Sequence, residues 1–312
     1  MEKLIESALN GNIRAIAKLI TIIESDDLFS KKIMKKIYPY SGKAHIIGIT
    51  GSPGAGKSTL VDNLVEKMKK QERRIAVIAI DPSSPFSGGA ILGDRLRMQS
   101  HSLSKDVFIR SMGARGFLGG ISKATHEVAL LLDACGYDDI IIETVGVGQS
   151  EIDIIKIADT VCLVLVPGMG DDIQVMKAGI MEIADVFIVN KSDKDGAEKI
   201  ANDVTSMLNS LNFRDWKPPV ILVSSYANTG FNEINSTINE HNIYLHTSEA
   251  GRIKLESMFK KHIERIVEKE ILSNIEMKIK NVIDNYDFSS CSNKNEINPY
   301  IISEDILNQI IK

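Results

Sequence analysis

The run Gly51-Ser52-Pro53-Gly54-Ala55-Gly56-Lys57-Ser58 has the spacing G-x-x-x-x-G-K-S, and it stands between an apolar stretch, His45–Thr50, and a helical one, Thr59–Lys69. Glycines at those places let the backbone turn tightly enough for successive N–H groups to converge on phosphate oxygens. The N-terminus of the following helix adds its partial positive charge. In such a cradle Lys57 would bridge the β- and γ-phosphates and the Ser58 hydroxyl would ligate Mg²⁺. Every residue of the run, together with Thr59, is an expected nucleotide contact.

A phosphate cradle does not choose a base. Asn190-Lys191-Ser192-Asp193, directly after the strand-like Val186–Val189, makes that choice. A carboxylate at Asp193 can accept hydrogen bonds from N1–H and the exocyclic amine of guanine, whereas adenine has no N1 proton and would leave the charge unpaired. A site built to pair with a substrate group rejects analogues lacking it by ~10⁴-fold or more. Ser224-Ser225-Tyr226 follows another strand, Val220–Val223, and is placed to offer a backbone N–H to guanine O6. Ser225 stands where alanine is usual, which a backbone contact tolerates.

Mg²⁺ takes hard oxygen ligands. Besides Ser58, three acids stand at strand ends or in Gly-rich loops: Asp81 before Pro82, Asp94 in Gly93-Asp94-Arg95, and Glu143 in Glu143-Thr144-Val145-Gly146. The carboxyl ends of parallel strands are where ligands bind. Gly146 would let the backbone approach the γ-phosphate. The next residue is Val147, where Ras-like proteins carry the glutamine that orients the attacking water, so slow intrinsic hydrolysis accelerated by a partner is expected, with Gln149 as a candidate for the missing role.

These residues need a frame that brings strand ends together. Short Ile/Val-rich runs at His45–Thr50, Ile75–Ile80, Val107–Ile109, Ile140–Glu143, Val161–Val166, Val186–Val189 and Val220–Val223 alternate with helix-length segments. That alternation predicts an α/β fold: a mostly parallel P-loop NTPase sheet flanked by helices. Residues 1–42 read as a helical prefix, with Leu4, Ile5, Ala8, Leu9, Ile13, Ile16, Leu19 and Ile20 near a 3.6-residue repeat and Gly11 interrupting it. The GTPase domain is expected over 43–248 and a helical C-terminal region over 249–312, which the family resemblance described below makes a dimerisation region. There Leu255, Met258, Phe259, Ile263, Ile266 and Val267 form a stripe that suits either intramolecular packing or a dimer interface. A last helix is expected at Ser303–Ile311.

The chain has 312 residues, 44% hydrophobic and 25% charged, with net charge −4. No general basic surface exists for nucleic acid or an anionic membrane, and the local cluster of Lys67, Lys69, Lys70, Arg73 and Arg74 suits a helix C-terminus. Cys135, Cys162 and Cys291 are widely spaced and form no CxxC, which predicts neither disulfides nor a thiolate metal site and fits a reducing cytoplasm. Charges at Glu2, Glu6, Arg14 and Lys18 break any signal-peptide core, and no apolar run approaches the ~18 residues of a membrane span.

Taken in order, Gly51–Ser58, Asp81-Pro82-Ser83-Ser84-Pro85, 88–95 with Asp94, the run Glu143-Thr144-Val145-Gly146-Val147-Gly148-Gln149-Ser150-Glu151, and Asn190–Asp193 resemble the MeaB/ArgK family of methylmalonyl-CoA mutase-associated GTPases over residues 1–285. The resemblance implies a SIMIBI-class fold, a homodimer through C-terminal helices, and a chaperone role toward an adenosylcobalamin-dependent acyl-CoA mutase. GTP binding and hydrolysis would there gate cofactor loading and protect or reactivate the mutase. It also implies Asp81, Asp94 and Glu143 as the Mg²⁺-site acids, and maps a third switch onto 168–177, implicating Asp171, Gln174 and Lys177 in partner-stimulated hydrolysis alongside Lys57 and Glu143.

Three other readings compete. A nickel metallochaperone would need Cys and His at ligand spacing, which His45, His101, His126, His241, His246 and His262 do not provide. An ATP-dependent kinase or ATPase tied to arginine/ornithine transport is opposed by Asn190–Asp193. A scaffold whose nucleotide only fixes its shape is compatible with Val147.

Overall fold

The structure, a computed structural model, describes residues 1–25, 27–81, 104–113, 124–144, 146, 153–168, 184–211, 215–285 and 298–311. The chain begins with three helices, α1 (Glu2–Leu9), α2 (Ile13–Ser25) and α3 (Asp27–Ile37). The break that Gly11 signals becomes a helix start: Asn12 Oδ1 accepts the Ala15 N–H at 3.1 Å and caps α2.

Seven strands follow: β1 (His45–Gly51), β2 (Ile75–Asp81), β3 (Val107–Gly113), β4 (Asp139–Glu143), β5 (Thr160–Leu165), β6 (Val186–Val189) and β7 (Val220–Leu222). They form one sheet in the order β3-β2-β4-β1-β5-β6-β7, and every adjacent pair is parallel. Helices α4 (Lys57–Lys69), α5 (Ala124–Ala134), α6 (Ala197–Asn209) and α7 (Phe231–Thr247) cover it. The predicted strands are all present. β3 runs beyond the expected Ile109 because its polar Arg110 still has a partner, an ion pair with Glu24 of α2.

Side chains alternate across the sheet, and each face finds its own cover. Ile46, Ile78, Ile140 and Ile142 pack with Ile16, Leu19 and Ile20 of α2 and Val128 and Leu132 of α5. Ile47, Ile49, Val77 and Ile141 face Leu60, Val61 and Leu64 of α4 and Ile234 and Ile238 of α7. A strand buried on both sides must be apolar throughout, which is why these runs lack the alternation of a half-exposed strand. The prefix is anchored by the same physics: Ile16, Leu19 and Ile20 are wholly buried, at about 2 kcal/mol of transfer free energy each.

Prefix and sheet belong to one compact unit, Met1–Leu255, and Glu256–Lys312 forms another. The second holds most of α8 (Glu249–Asp284) and all of α9 (Pro299–Ile311). Along α8, Phe259, Ile263, Ile266 and Val267 are 45–51% exposed.

The basic cluster after α4 is partly structural. Arg73 Nε pairs with Asp139 at 2.7 Å, and Arg74 donates to the Cys135 and Gly136 carbonyls at 3.1 and 2.9 Å with its guanidinium 4.7 Å from the Tyr137 ring centre. Cys135 and Cys162 are buried free thiols, and burial pushes Cys135 up to about 12. Among the described residues no helix is long and apolar enough to cross a membrane.

Candidate nucleotide-binding site

The strand order reverses direction at β1. The chain leaves β1 for β2 and β3 on one side, returns with β4, and then continues with β5 on the other side. Loops at the carboxyl ends of β1 and its neighbours therefore diverge and leave a crevice, the usual ligand site of an open parallel sheet.

The loop from Gly51 to Gly56 fills that position and leads directly into α4, which starts at Lys57. Ser52 and Ala55 are buried, while Pro53, Gly54 and Thr59 are exposed. Gly56 adopts φ +85, and a Cβ there would lie 2.6 Å from Asn190 Nδ2; backbone strain and crowding both call for glycine. Lys57 is buried, and its Nζ donates to the carbonyls of Gly51 and Ser52 at 2.6 and 3.0 Å. The ammonium thus sits over the loop, where it can exchange these carbonyls for phosphate oxygens. Gly146, at φ +94, packs on the same loop: a Cβ would meet Gly51 O at 2.4 Å, Lys57 Nζ at 2.6 Å and Pro53 N at 2.9 Å.

The segment expected to read the base is tied to the cradle. Asn190 is 1% exposed; its Nδ2 donates to Ala55 O at 2.9 Å, and Lys191 Nζ donates to Gly54 O at 2.8 Å. Two segments 135 residues apart are thereby joined directly. Asp193 is exposed and accepts the Ser224 Oγ–H. That hydrogen bond, with help from the Asp193 backbone, holds its carboxyl below the ordinary range, so at neutral pH it is an acceptor suited to two guanine N–H groups. Ser225 donates from both N and Oγ to Asn190 Oδ1, at 3.2 and 3.0 Å. The serine in place of the usual alanine adds a second brace, and Tyr226 beside it is 94% exposed.

The expected metal ligands converge in part. Ser58 Oγ donates to Glu143 Oε1 at 2.6 Å, and Glu143 is 7% exposed. These two hard oxygens at the mouth of the cradle fit Mg²⁺. Thr144 helps to fix the end of β4: its N–H reaches Ile49 O at 3.0 Å and its Oγ1 donates to Thr50 Oγ1 at 3.0 Å. Asp81 closes β2, two positions past the residue that pairs with Glu143. Asp94, Gln149, Asp171, Gln174 and Lys177 lie outside the described residues.

Sequence reasoning passed over a buried polar chain at the opposite, amino-terminal edge of the sheet. His45 Nε2 and His241 Nδ1 each lie 2.7 Å from Thr160 Oγ1. His241 Nε2 faces Asp185 at 3.3 Å, and Asp185 pairs with Lys254 at 2.7 Å. Burial pushes His45 down to about 3, so that ring is neutral. The chain ties β1, β5, α7 and the root of α8 together at the end of the sheet opposite the Gly51–Gly56 loop. No motif signals it, because its members come from five separate segments.

The comparisons with known proteins agree with this geometry. The family model described as methylmalonyl Co-A mutase-associated GTPase MeaB matches residues 16–280. Protein PH0274 of Pyrococcus horikoshii is 46% identical, over 100% of this chain and 98% of that one. GTPase ArgK of Escherichia coli is 35% identical, over 85% and 83%. A crystal structure of a LAO/AO transport system kinase superposes with a TM-score of 0.72 at 26% identity, covering 100% of this chain and 97% of that one. The cradle, the brace from Asn190 and Lys191, and these matches agree: the chain is a GTPase and belongs to the methylmalonyl Co-A mutase-associated GTPase MeaB family.

Proposed function

We propose that this GTPase is a nucleotide-gated chaperone of an adenosylcobalamin-dependent acyl-CoA mutase, methylmalonyl-CoA mutase being the first candidate. It would act in the cytoplasm, controlling cofactor loading and protecting or reactivating the mutase. The observation that carries this reading is the family match over 16–280, which takes in much of the prefix and most of α8 as well as the nucleotide domain. Relatedness therefore extends to surfaces that a bare GTPase does not need.

In the working site, Asn190, Lys191, Asp193 and the 224–226 turn hold the base, while the 51–56 loop, Lys57 and Thr59 hold the phosphates. Ser58, Glu143, Asp81 and Asp94 would hold Mg²⁺, whose charge offsets that of the phosphates. Glu143 and Ser58, already in contact, would orient that charge, and Lys57 would neutralise charge that develops between the β- and γ-phosphates. Val147 offers no hydrogen bond to an attacking water, so hydrolysis would be slow until a partner completes the site, with Gln149, Gln174 or Lys177 as the candidate groups. The half-exposed stripe Phe259, Ile263, Ile266 and Val267 supports a homodimer through α8, since such a stripe is stable in water only when covered.

The test is single-turnover GTP hydrolysis with and without a purified adenosylcobalamin-dependent mutase, together with co-sedimentation in the GTP-analogue and GDP states. The expected result is stimulation of about tenfold or more and association that depends on the nucleotide. No association in any state, or a basal rate already that of an activated GTPase, would contradict the proposal.

A further inference from the structure

Asn63 lies in the second turn of α4, six residues beyond Lys57, and belongs to none of the motifs that announce the site. Its Nδ2 donates to the Ser225 carbonyl at 3.0 Å. Ser225 is also bound to Asn190 Oδ1, and Asn190 Nδ2 is bound to Ala55 O. The contacts close a ring that runs from the phosphate loop through Asn190, Ser225 and Asn63 and back along α4 to the loop.

The ring constrains one peptide in particular. The C=O and N–H of a trans peptide point in opposite directions. With the Ser225 carbonyl drawn to α4, the Tyr226 N–H points away from that helix. The Ser225 N–H is already engaged by Asn190 at 3.2 Å, whereas the Tyr226 N–H donates to no group among the described residues. Asp193, the acceptor for the other edge of guanine, is held separately by Ser224.

We propose that Asn63 is a positioning residue for guanine recognition: by anchoring the Ser225–Tyr226 peptide to the phosphate-loop helix, it aims the Tyr226 N–H at the 6-carbonyl oxygen of the base. The proposal rests on the guanine reading of Asn190–Asp193. Asn63 touches no part of the nucleotide, and its effect passes through the backbone it holds. Phosphate position and base position are thereby set by one rigid helix.

The experiment is calorimetric titration of the full chain, wild type and the variants Asn63→Ala and Asn63→Leu, with three probes. GDP has both recognition edges, inosine diphosphate keeps the 6-oxygen and the N1 proton and lacks the exocyclic amine, and 2-aminopurine riboside diphosphate keeps the amine and lacks both the 6-oxygen and the N1 proton. The expected result is a loss of about tenfold in affinity for GDP and for inosine diphosphate, as for one misaligned hydrogen bond. Affinity for the 2-aminopurine nucleotide, which has no 6-oxygen contact to lose, stays at its wild-type value. Equal losses for all three probes would mean that Asn63 only supports the fold and would overturn the proposal, as would no loss for any. Failure of the underlying guanine reading is separately visible as wild-type protein that binds ADP as tightly as GDP.

Discussion

Replacing Gly146 by alanine probes the junction between the end of β4 and the phosphate loop. The new Cβ would lie 2.4 Å from Gly51 O and 2.9 Å from Pro53 N, both backbone atoms, and 2.6 Å from Lys57 Nζ. The lysine head can swing aside, but the backbone atoms cannot. Ordinary contact starts near 3.4 Å, so the Gly146 backbone must retreat by about 1 Å, and alanine at φ +94 adds strain of about 1–2 kcal/mol. A Gly146 N–H directed at the γ-phosphate would then stretch beyond hydrogen-bond range. Loss of one hydrogen bond to a charged acceptor costs about 1.5–3 kcal/mol, roughly 10- to 100-fold. GDP, which has no γ-phosphate, should bind within about threefold of wild type by the same reasoning. Titration with GDP and with a non-hydrolysable GTP analogue, plus single-turnover hydrolysis, reads both halves. Gly146→Ala protein that binds the GTP analogue as tightly as wild type refutes the argument.

Two other changes test separate parts of the account. Glu143→Gln removes the charge beside Ser58 and should raise the Mg²⁺ concentration for half-maximal hydrolysis about tenfold or more, leaving nucleotide affinity in EDTA unchanged; an unaltered Mg²⁺ dependence contradicts the metal assignment. Asp139 is fully buried beside Arg73, and burial pushes its carboxyl up to about 7 although Arg73 pulls it down. The folded state therefore favours the protonated acid, and this contribution is complete below about pH 4 and lost as the pH rises through about 7. From 3.8 to about 7 the loss is at most about 4 kcal/mol. Asp139→Asn should gain stability relative to wild type across that window in urea unfolding, and a flat difference would exclude the effect.

The candidate nucleotide-binding segments were legible in the sequence because each is a short run fixed to a strand end: a helix following Gly51–Ser58, or a tetrapeptide directly after Val189, leaves little freedom in where the side chains go. The strands were legible for a related reason, since burial on both faces demands unbroken apolar runs. β3 was underestimated because Arg110 breaks its run and its partner Glu24 lies in another element. Asn63 and the His45–Thr160–His241–Asp185 chain stayed hidden because their partners are brought together only by the folded sheet. The α8 stripe posed a choice between packing and an interface. Phe259, Ile263, Ile266 and Val267 of that stripe are 45–51% exposed, a quantity that periodicity alone does not supply.

The central claim is that Asp193 makes this phosphate cradle a guanine site, and changing the charge of that one side chain tests it directly. Wild-type protein should bind GDP at least ~10³-fold more tightly than ADP or xanthosine diphosphate. Asp193→Asn replaces an acceptor with a donor amide that matches the 2-oxygen of xanthine, so calorimetric titration should show preference passing from GDP to xanthosine diphosphate, with ADP still weak. Wild-type protein that binds ADP and GDP equally, or an Asp193→Asn protein whose preference among the three nucleotides is unchanged, would contradict the account.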